Sequence, residues 1–170
     1  MAAGPTYTSI ASNTLTSTAA SITFSSISGT YTDLILAASH GSSSASNTYV
    51  RFNGVTGAYY SLTQLVGTGT ASMSSRESGL TAFRIDNYAA AFTTIENSYI
   101  IQIQNYSNTT TYKSVLARCN ATQQGLEATV GLWRGSTGSS TEAITSITYY
   151  PGGGSWLVGS YFALYGIKAA

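Results

Sequence analysis

Hydrophobic and polar residues alternate along much of this chain, so that apolar side chains fall at every second position. No window of about a dozen residues keeps apolar positions at the i, i+3, i+4, i+7 spacing of an amphipathic helix. The alternating segments recur along the 170 residues and are separated by Gly, Asn and Ser. This pattern predicts an all-β chain built from half-buried antiparallel strands.

Four segments predict which side chains point into the core. The inward-facing sets are Val50 and Phe52; Tyr99, Ile101 and Ile103; Val115, Ala117 and Cys119; and Leu126, Ala128, Val130 and Leu132. In the first segment Tyr49 and Arg51 take the opposite face. In the last, the same alternation places Glu127, Thr129 and Trp133 on the outer face.

Further strands are predicted near residues 6–10, 20–25, 32–39, 58–65, 80–86, 142–149 and 156–167. The total of about ten strands favours a single-domain antiparallel β-sandwich with a jelly-roll-like course. The polar, Gly/Ser-rich stretches 40–47 and 66–79 are predicted loops, and the second is long enough to be functional or interfacial.

The domain prediction divides the chain at residue 20. Residues 1–19 are weakly patterned and are predicted to form an N-terminal arm on a neighbouring subunit or an edge strand. Residues 20–170 are predicted to form the β-sandwich domain, and a chain of this length fits one domain.

The composition is poor in chemically reactive side chains. Only 8% of the residues are charged, with one His and one Cys, whereas Ser and Thr together number 51 and Tyr 13. Active sites need acids, bases or metal ligands gathered in one place. The composition therefore favours a structural or binding protein over an enzyme, with no cofactor and no metal.

The charge pattern also limits the partners. The formal net charge is +1 and the basic residues form no stripe with interleaved aromatics, so no nucleic-acid partner is expected. No apolar run approaches the ~18 residues of a membrane span, and the first residues lack the pattern of a signal peptide. We therefore expect no membrane partner.

Three catalytic alternatives depend on particular residues. A glycosidase would need two carboxylates facing one cleft, and Glu96 and Glu127 are the candidates; the favoured interpretation is that both are solvated on outer faces. His40 lacks the motifs of a catalytic triad and is interpreted as a polar residue at a strand end. Cys119, in phase with Val115 and Ala117, is interpreted as a small core residue.

Aromatic residues near turns and on the predicted outer face are the candidates for an interface. Tyr and Trp are enriched where a surface is covered by a partner, or where it stacks on a sugar ring. The candidates are Tyr59, Tyr60, Trp133, Tyr149, Tyr150 and Trp156.

Several segments of the chain resemble one family. They are TFSSISGTYTDLILAAS, YVRFNGVTGAYYS, IQNYSNTTTYKSVLAR and the ending AITSITYYPGGGSWLVGSYFALYGIKAA. Together they resemble small β-rich virion proteins of tailed bacteriophages, especially cyanophages, over nearly the whole length from residue 20. The RFNG segment at 51–54, with a turn at Asn53-Gly54, and the terminal LYGIKAA are its most specific parts.

The resemblance implies a structural module of a phage particle. Because the predicted sandwich starts so close to residue 1, with no shaft before it, a capsid decoration (cement) protein is expected rather than a tail fibre. Such a protein implies a homotrimer that bridges subunits of the major capsid protein, made in the host cytoplasm and located in the virion. The alternatives are a tail- or head-fibre module that binds a receptor or host-surface glycan and, less favoured, a jelly-roll glycoside hydrolase.

Overall fold

Twelve antiparallel strands and no helix make up the described part of a computed structural model, which covers residues 6–87, 94–95, 97–121 and 125–168. The strands are β1 (Tyr7–Thr14), β2 (Ile22–Phe24), β3 (Asp33–His40), β4 (Thr48–Phe52), β5 (Tyr60–Gly67), β6 (Ser72–Leu80), β7 (Phe83–Arg84), β8 (Asn97–Gln104), β9 (Lys113–Ala121), β10 (Gly125–Trp133), β11 (Ile147–Pro151) and β12 (Tyr161–Ile167). They form two sheets, so the prediction of an all-β sandwich is confirmed.

The large sheet has eight strands in the order β1-β12-β3-β8-β9-β10-β5-β6, and the small sheet has four in the order β2-β11-β4-β7. Successive strands from β2 to β8 largely alternate between the two sheets, and β11 returns between β2 and β4, as in a jelly roll. Two additions widen the large sheet: the β9-β10 hairpin lies between β8 and β5, and the β12-β1 pair extends the β3 edge.

The core lies between the two sheets and is lined by alternate residues of most of the strands, although β1 and β6 at the edges of the large sheet contribute no fully buried side chain. Three of the four predicted inward-facing sets are confirmed, those of β4, β8 and β9, and Cys119 is buried among them. The small sheet contributes Ile22, Phe24, Val50, Phe52, Phe83, Ile147 and Tyr149. Removing these apolar side chains from water is the main stabilising contribution to such a sandwich.

Two predictions about irregular segments need correction. Most of the stretch 66–79, predicted as a loop, is strand β6 at the edge of the large sheet, where it pairs with β5. The residues of β6 are mostly polar and none of them is fully buried. Its sequence therefore lacks the alternation of apolar and polar residues by which a strand is predicted. The predicted strand at 156–167 begins only at Tyr161. Before it, Trp156 makes isolated bridges to Ala19 and Ser42 and is not part of a strand.

The N-terminal segment forms strand β1, which pairs with β12 at the other edge of the large sheet. The segment 1–19 was predicted as an arm or an edge strand, and residues 7–14 within it are this strand. Both edges of the large sheet are therefore strands of eight or nine residues.

Asn53, in the RFNG segment, forms hydrogen bonds that connect the end of β4 to residues 143–146, which precede β11. Both Asn53 and Gly54 have positive φ, at 50° and 67°, and the Val55 amide donates to the Phe52 carbonyl at 2.9 Å. This is the primed turn that Asn-Gly favours. The Asn53 Oδ1 accepts the amides of Thr145 at 2.8 Å and Ser146 at 3.1 Å, and its Nδ2 donates to a carbonyl at 2.8 Å.

We expect Asn53→Gly to lower the free energy of unfolding by about 2–3 kcal/mol, since it removes three hydrogen bonds to backbone groups, two of them partly buried. Glycine adopts positive φ without strain, so the loss combines the missing side-chain bonds with the greater unfolded-state entropy of glycine, roughly 0.5–1 kcal/mol. Denaturant unfolding measures it. Gly54→Ala, which strains the turn but keeps the side-chain bonds, is the matched control, with an expected loss of about 1 kcal/mol. Wild-type stability in Asn53→Gly would refute the role.

Candidate interaction surface

The outer face of the large sheet exposes large apolar side chains at its centre. Leu126 is 63% exposed, Leu65 60% and Val130 57%, and Ile100, Leu116 and Leu132 lie on the same face. The pairing registers bring these residues together, because Val130 lies opposite Leu116 on one side and Ala128 opposite Leu65 on the other. Contiguous exposed apolar surface on this scale marks a binding site more often than scattered single residues do.

Strand β10 creates this surface, and its orientation is the reverse of the predicted one. Glu127, Thr129 and Trp133 point inward and are at most 1% exposed, while Leu126 and Val130 point outward. Apolar residues at both parities of β8 and β9, namely Ile100 and Leu116, were the signal in the sequence that the outer face of this sheet is also apolar.

Packing with the small sheet sets the orientation of β10. The Trp133 ring contacts Phe52, with centroids 5.5 Å apart. The Thr129 hydroxyl donates to the Ile85 carbonyl at 2.9 Å. Gly131 faces Phe83 so closely that a Cβ would lie 2.1 Å from its ring, so only glycine fits there without a shift. A one-residue slip would turn the outward-facing leucine and valine side chains of β10 into this space.

Four of the six aromatic interface candidates prove to be core residues. Tyr60 is 1% exposed, and Trp133, Tyr149 and Trp156 are fully buried, so none of the four is available to a partner on the surface of the folded chain. They pack on one another and on the phenylalanines between the sheets; Tyr149 and Trp156, for example, stack at 5.4 Å. Large rings from both sheets therefore fill much of the space between them, and aromatics near turns are part of that packing.

The other two candidates are half-buried. Tyr150 lies on the outer face of the small sheet, where its ring stacks on Tyr49 at 5.5 Å and the Arg51 guanidinium lies 4.9 Å from its centroid. Tyr59 lies beside Gly138 in the approach to β5, where a Cβ on that glycine would meet its ring at 2.7 Å. The described structure thus leaves these two partly accessible.

His40 and Asp86 lie in the core and belong to a polar cluster that sequence reading missed. His40 is fully buried, its Nε2 lies 2.6 Å from the Tyr149 hydroxyl and its ring stacks on Tyr99 at 4.4 Å. Tyr99 in turn donates to Asp86 at 2.6 Å, and the Thr48 amide donates to the same carboxylate at 2.7 Å. The alternation Leu34, Leu36, Ala38, His40 was the signal in the sequence that His40 points inward.

Burial shifts the pKa values of both groups in opposite directions. Desolvation lowers the pKa of His40 to about 3, so the imidazole is neutral in the folded protein at neutral pH. Desolvation raises the pKa of Asp86 to about 7, against the opposing effect of its hydrogen bonds from Tyr99 and Thr48. Both side chains are fully buried, so the cluster is part of the core between the sheets and lies away from the protein surface.

Glu127, one of the two glycosidase candidates, also points into the core. It is 1% exposed and accepts the amide of Asn87 at 2.8 Å, so the prediction of a solvated carboxylate is wrong. Glu96, its predicted counterpart, lies outside the described residues. Within the described ranges no three His, Cys, Asp or Glu side chains lie close enough to hold a metal ion. No described helix is long and apolar enough to cross a membrane.

Arg118 is the charged side chain at the centre of the apolar face, and Arg76 of β6 lies at its margin, in a groove shared with Val130. Among the described side chains that β8, β9 and β10 present on the outer face, it alone is ionic. It lies between Ile100 and Ala128 in the pairing registers, and it makes neither a salt bridge nor a side-chain hydrogen bond to any described residue. A partner that covered it without an acidic group would leave a buried, unpaired charge, which is strongly unfavourable.

Shallow grooves run across this face on either side of Arg118. One, of about 360 Å³, is lined by Tyr7, Ile35, Ala37, Ile100, Gln102, Leu116, Arg118 and Tyr165. Another, of about 370 Å³, follows Leu126 and Ala128 and also reaches Arg118. The two grooves are shallow recesses into which side chains of a partner can fit, and the Arg118 guanidinium lies where they meet.

No protein-family model, no curated protein and no solved structure matches this chain. The fold defines a class, an all-β sandwich with jelly-roll strand order and one apolar outer face. That face, together with the resemblance of the RFNG and LYGIKAA segments, is the feature from which a function can be proposed.

Proposed function

We propose that this chain is a structural subunit of a tailed-phage particle, a capsid decoration protein that bridges and stabilises subunits of the major capsid protein. The observation that carries the proposal is the apolar outer face of the large sheet. The resemblance of the RFNG and LYGIKAA segments to small virion proteins supports the same class. The mechanism is mechanical, since each bound copy adds buried contact area between capsid subunits.

The side chains of the apolar face indicate which groups a partner surface should carry. Leu65, Leu126 and Val130 are each more than half exposed, and their burial contributes roughly 25 cal/mol for each Å² removed from water. Arg118 has no ion-pair partner among the described residues, so a partner that covers it should bring a carboxylate. The complementary surface is therefore apolar with an acidic group opposite Arg118, and a stable attachment needs about 800 Å² per partner.

A second copy in face-to-face contact fits this surface less well. A two-fold axis through the centre of the face would bring Arg118 close to Arg118 of the second copy, with like charges in a desolvated contact. The major capsid protein is therefore the proposed occupant of the face. The proposed homotrimer uses other surfaces, and the two edge strands β1 and β6 offer backbone groups for it.

We expect Val130→Asp to weaken binding to phage heads that lack this chain by at least tenfold, because the carboxylate is desolvated inside the apolar contact. Cosedimentation of purified protein with such heads measures the binding. Val130 is 57% exposed, so the substitution leaves the core intact. Thr56→Asp introduces the same charge at an exposed loop position and is the matched control, with wild-type binding.

Immunogold electron microscopy of intact particles locates the chain. Label on the head supports the proposal, and label confined to tail tips assigns a fibre module instead. Wild-type head binding by Val130→Asp would overturn the role of the apolar face. Light scattering on the purified protein tests the trimer separately, with an expected mass near three times 17.7 kDa.

A further inference from the structure

A groove at the other side of the sandwich is a candidate binding site that the proposed capsid attachment does not use. The large sheet is wider than the small one, so β6 extends past the small sheet's short edge strand β7. The step between these two strands continues onto the outer face of the small sheet. The groove, about 460 Å³ in volume, is lined by Tyr49, Glu77, Leu80, Thr81, Ala82, Arg84, Tyr150 and Gly152.

Two tyrosines form one wall of the groove and are held in place. Tyr49 and Tyr150 lie opposite each other in the pairing of β4 with β11, and their rings stack at 5.5 Å with 19° between the planes. Arg51 fixes Tyr150 by donating to its hydroxyl at 2.8 Å while lying over its ring. Gly152 keeps the wall clear, since a Cβ there would lie 2.8 Å from the Tyr49 ring.

An ion pair forms the opposite wall. The Arg84 guanidinium, with its side chain 15% exposed, donates to the Glu77 carboxylate and, at 3.0 Å, to the buried amide oxygen of Gln64. The Glu77 side chain is 34% exposed, so part of the carboxylate stays available. Within the described residues, the buried Arg84 Nε has no hydrogen-bond partner. The wall thus presents fixed planar donors and acceptors with almost no net charge.

We propose that this groove binds a carbohydrate, with a sugar ring against the tyrosine wall and its hydroxyls on Glu77 and Arg84. An aromatic wall takes up the apolar C–H face of a pyranose, while the exposed part of the Glu77 carboxylate can accept hydrogen bonds from neighbouring hydroxyls and the exposed edge of the Arg84 guanidinium can donate to one. Because the two groups are already oriented by each other and by Gln64, little side-chain entropy is lost on binding.

The side chains that line the groove suit a sugar. They are two aromatic rings, a carboxylate and a guanidinium, which match ring faces and hydroxyl groups. The groove's volume is in the range of ordinary small-ligand sites, about 300–1,000 Å³. On the small sheet the bordering edge strand, β7, has only two residues, Phe83–Arg84, and offers little backbone for strand addition. The longer free edge beside the groove belongs to β6, so a peptide paired with β6 is the competing occupant that the test must distinguish.

Saturation-transfer NMR and calorimetry with the full chain test the proposal. The probes are neutral trisaccharides of glucose, galactose, mannose and N-acetylglucosamine, together with sialyllactose. At least one is expected to bind, and Tyr49→Ala and Glu77→Gln are each expected to weaken that binding at least tenfold. Tyr112→Ala is the matched control, because Tyr112 is 41% exposed and lines none of the grooves described, and it should bind as wild type.

Three results would overturn the proposal. The first is that none of the sugars binds at millimolar concentration. The second is that a sugar binds but Tyr49→Ala and Glu77→Gln retain wild-type affinity while their melting temperatures match the wild type. The third is that a library of short peptides binds through these residues while the sugars do not, which assigns the groove to a protein partner. Head binding by both variants should be unaffected, so this test and the capsid test fail separately.

Discussion

The free energy of unfolding is expected to stay nearly constant between about pH 4 and pH 6.5, because two buried groups contribute opposite slopes. The folded-state pKa of Asp86 is raised from 3.8 to about 7, so across this window the folded chain holds a proton that the unfolded chain has lost. This contribution lowers stability as the pH rises. The folded-state pKa of His40 is lowered from 6.5 to about 3, so the unfolded chain holds the extra proton. This contribution raises stability as the pH rises.

Single substitutions should separate the two slopes. Asp86→Asn keeps an acceptor for the Thr48 amide and removes the contribution of Asp86. His40 is then the remaining source of a slope, so the stability of this variant should rise between pH 4 and pH 6.5. His40→Gln keeps a polar group near the Tyr149 hydroxyl and removes the contribution of His40. Asp86 is then the remaining source of a slope, so the stability of this variant should fall over the same pH range. Since one pKa unit corresponds to about 1.4 kcal/mol, each change is on the order of 3 kcal/mol across the window.

Denaturant titrations at half-unit pH steps measure these profiles, and the double variant serves as the control because it should be flat again. The readout is the slope with pH, so a uniform loss of stability from altered packing does not imitate it. A flat profile in either single variant would show that the group it retains is not the source of a slope.

Trp133→Ala is expected to destabilise the fold by about 3–5 kcal/mol, because a fully buried indole is lost from the centre of the aromatic core. Its ring contacts both Phe52, at 5.5 Å, and Tyr60, at 6.3 Å, and a cavity would remain between the sheets. Urea unfolding followed by circular dichroism measures the loss. A lower melting temperature is the expected accompanying result.

The matched control on the same strand is Leu126→Ala. Leu126 is 63% exposed, so its truncation should change the free energy of unfolding by about 0.5 kcal/mol or less. The sequence placed these two side chains the other way round. If Trp133→Ala kept wild-type stability and lost only head binding, the indole would have to lie on the surface, and β10 would have the opposite orientation.

Prediction from the sequence succeeded where one face of a strand is apolar and the other polar. Strand β4 is such a case, since Val50 and Phe52 are buried while Tyr49 and Arg51 remain on the outer face. It failed on β10, because the regular apolar set Leu126, Ala128, Val130 and Leu132 faces outward there. The core instead receives Glu127, Thr129, Gly131 and Trp133, of which only the last is a large apolar side chain. It also failed on β6, whose polar side chains show no alternation although its backbone is paired with β5.

The surfaces proposed for binding were the hardest features to predict. Choosing aromatics as interface candidates identified four core residues, because Tyr and Trp also fill the space between two sheets. Tyr59 and Tyr150 are the two that stay partly accessible, and only Tyr150 lines the proposed groove, where its neighbours Arg84 and Glu77 come from separate strands. Arg118 is an ordinary basic residue in the sequence, and only the strand pairing places it alone among apolar side chains.

The sequence by itself determined that the chain is an all-β sandwich, since a two-residue period with frequent turn residues allows the backbone few other ways to bury its apolar side chains. It also determined the turn at Asn53-Gly54, because that dipeptide has a strong local preference. The tertiary structure decided the face of β10, the burial of His40 and Asp86, and the two surfaces proposed for binding. These depend on volumes, registers and contacts between residues far apart in the chain, which a local pattern does not contain.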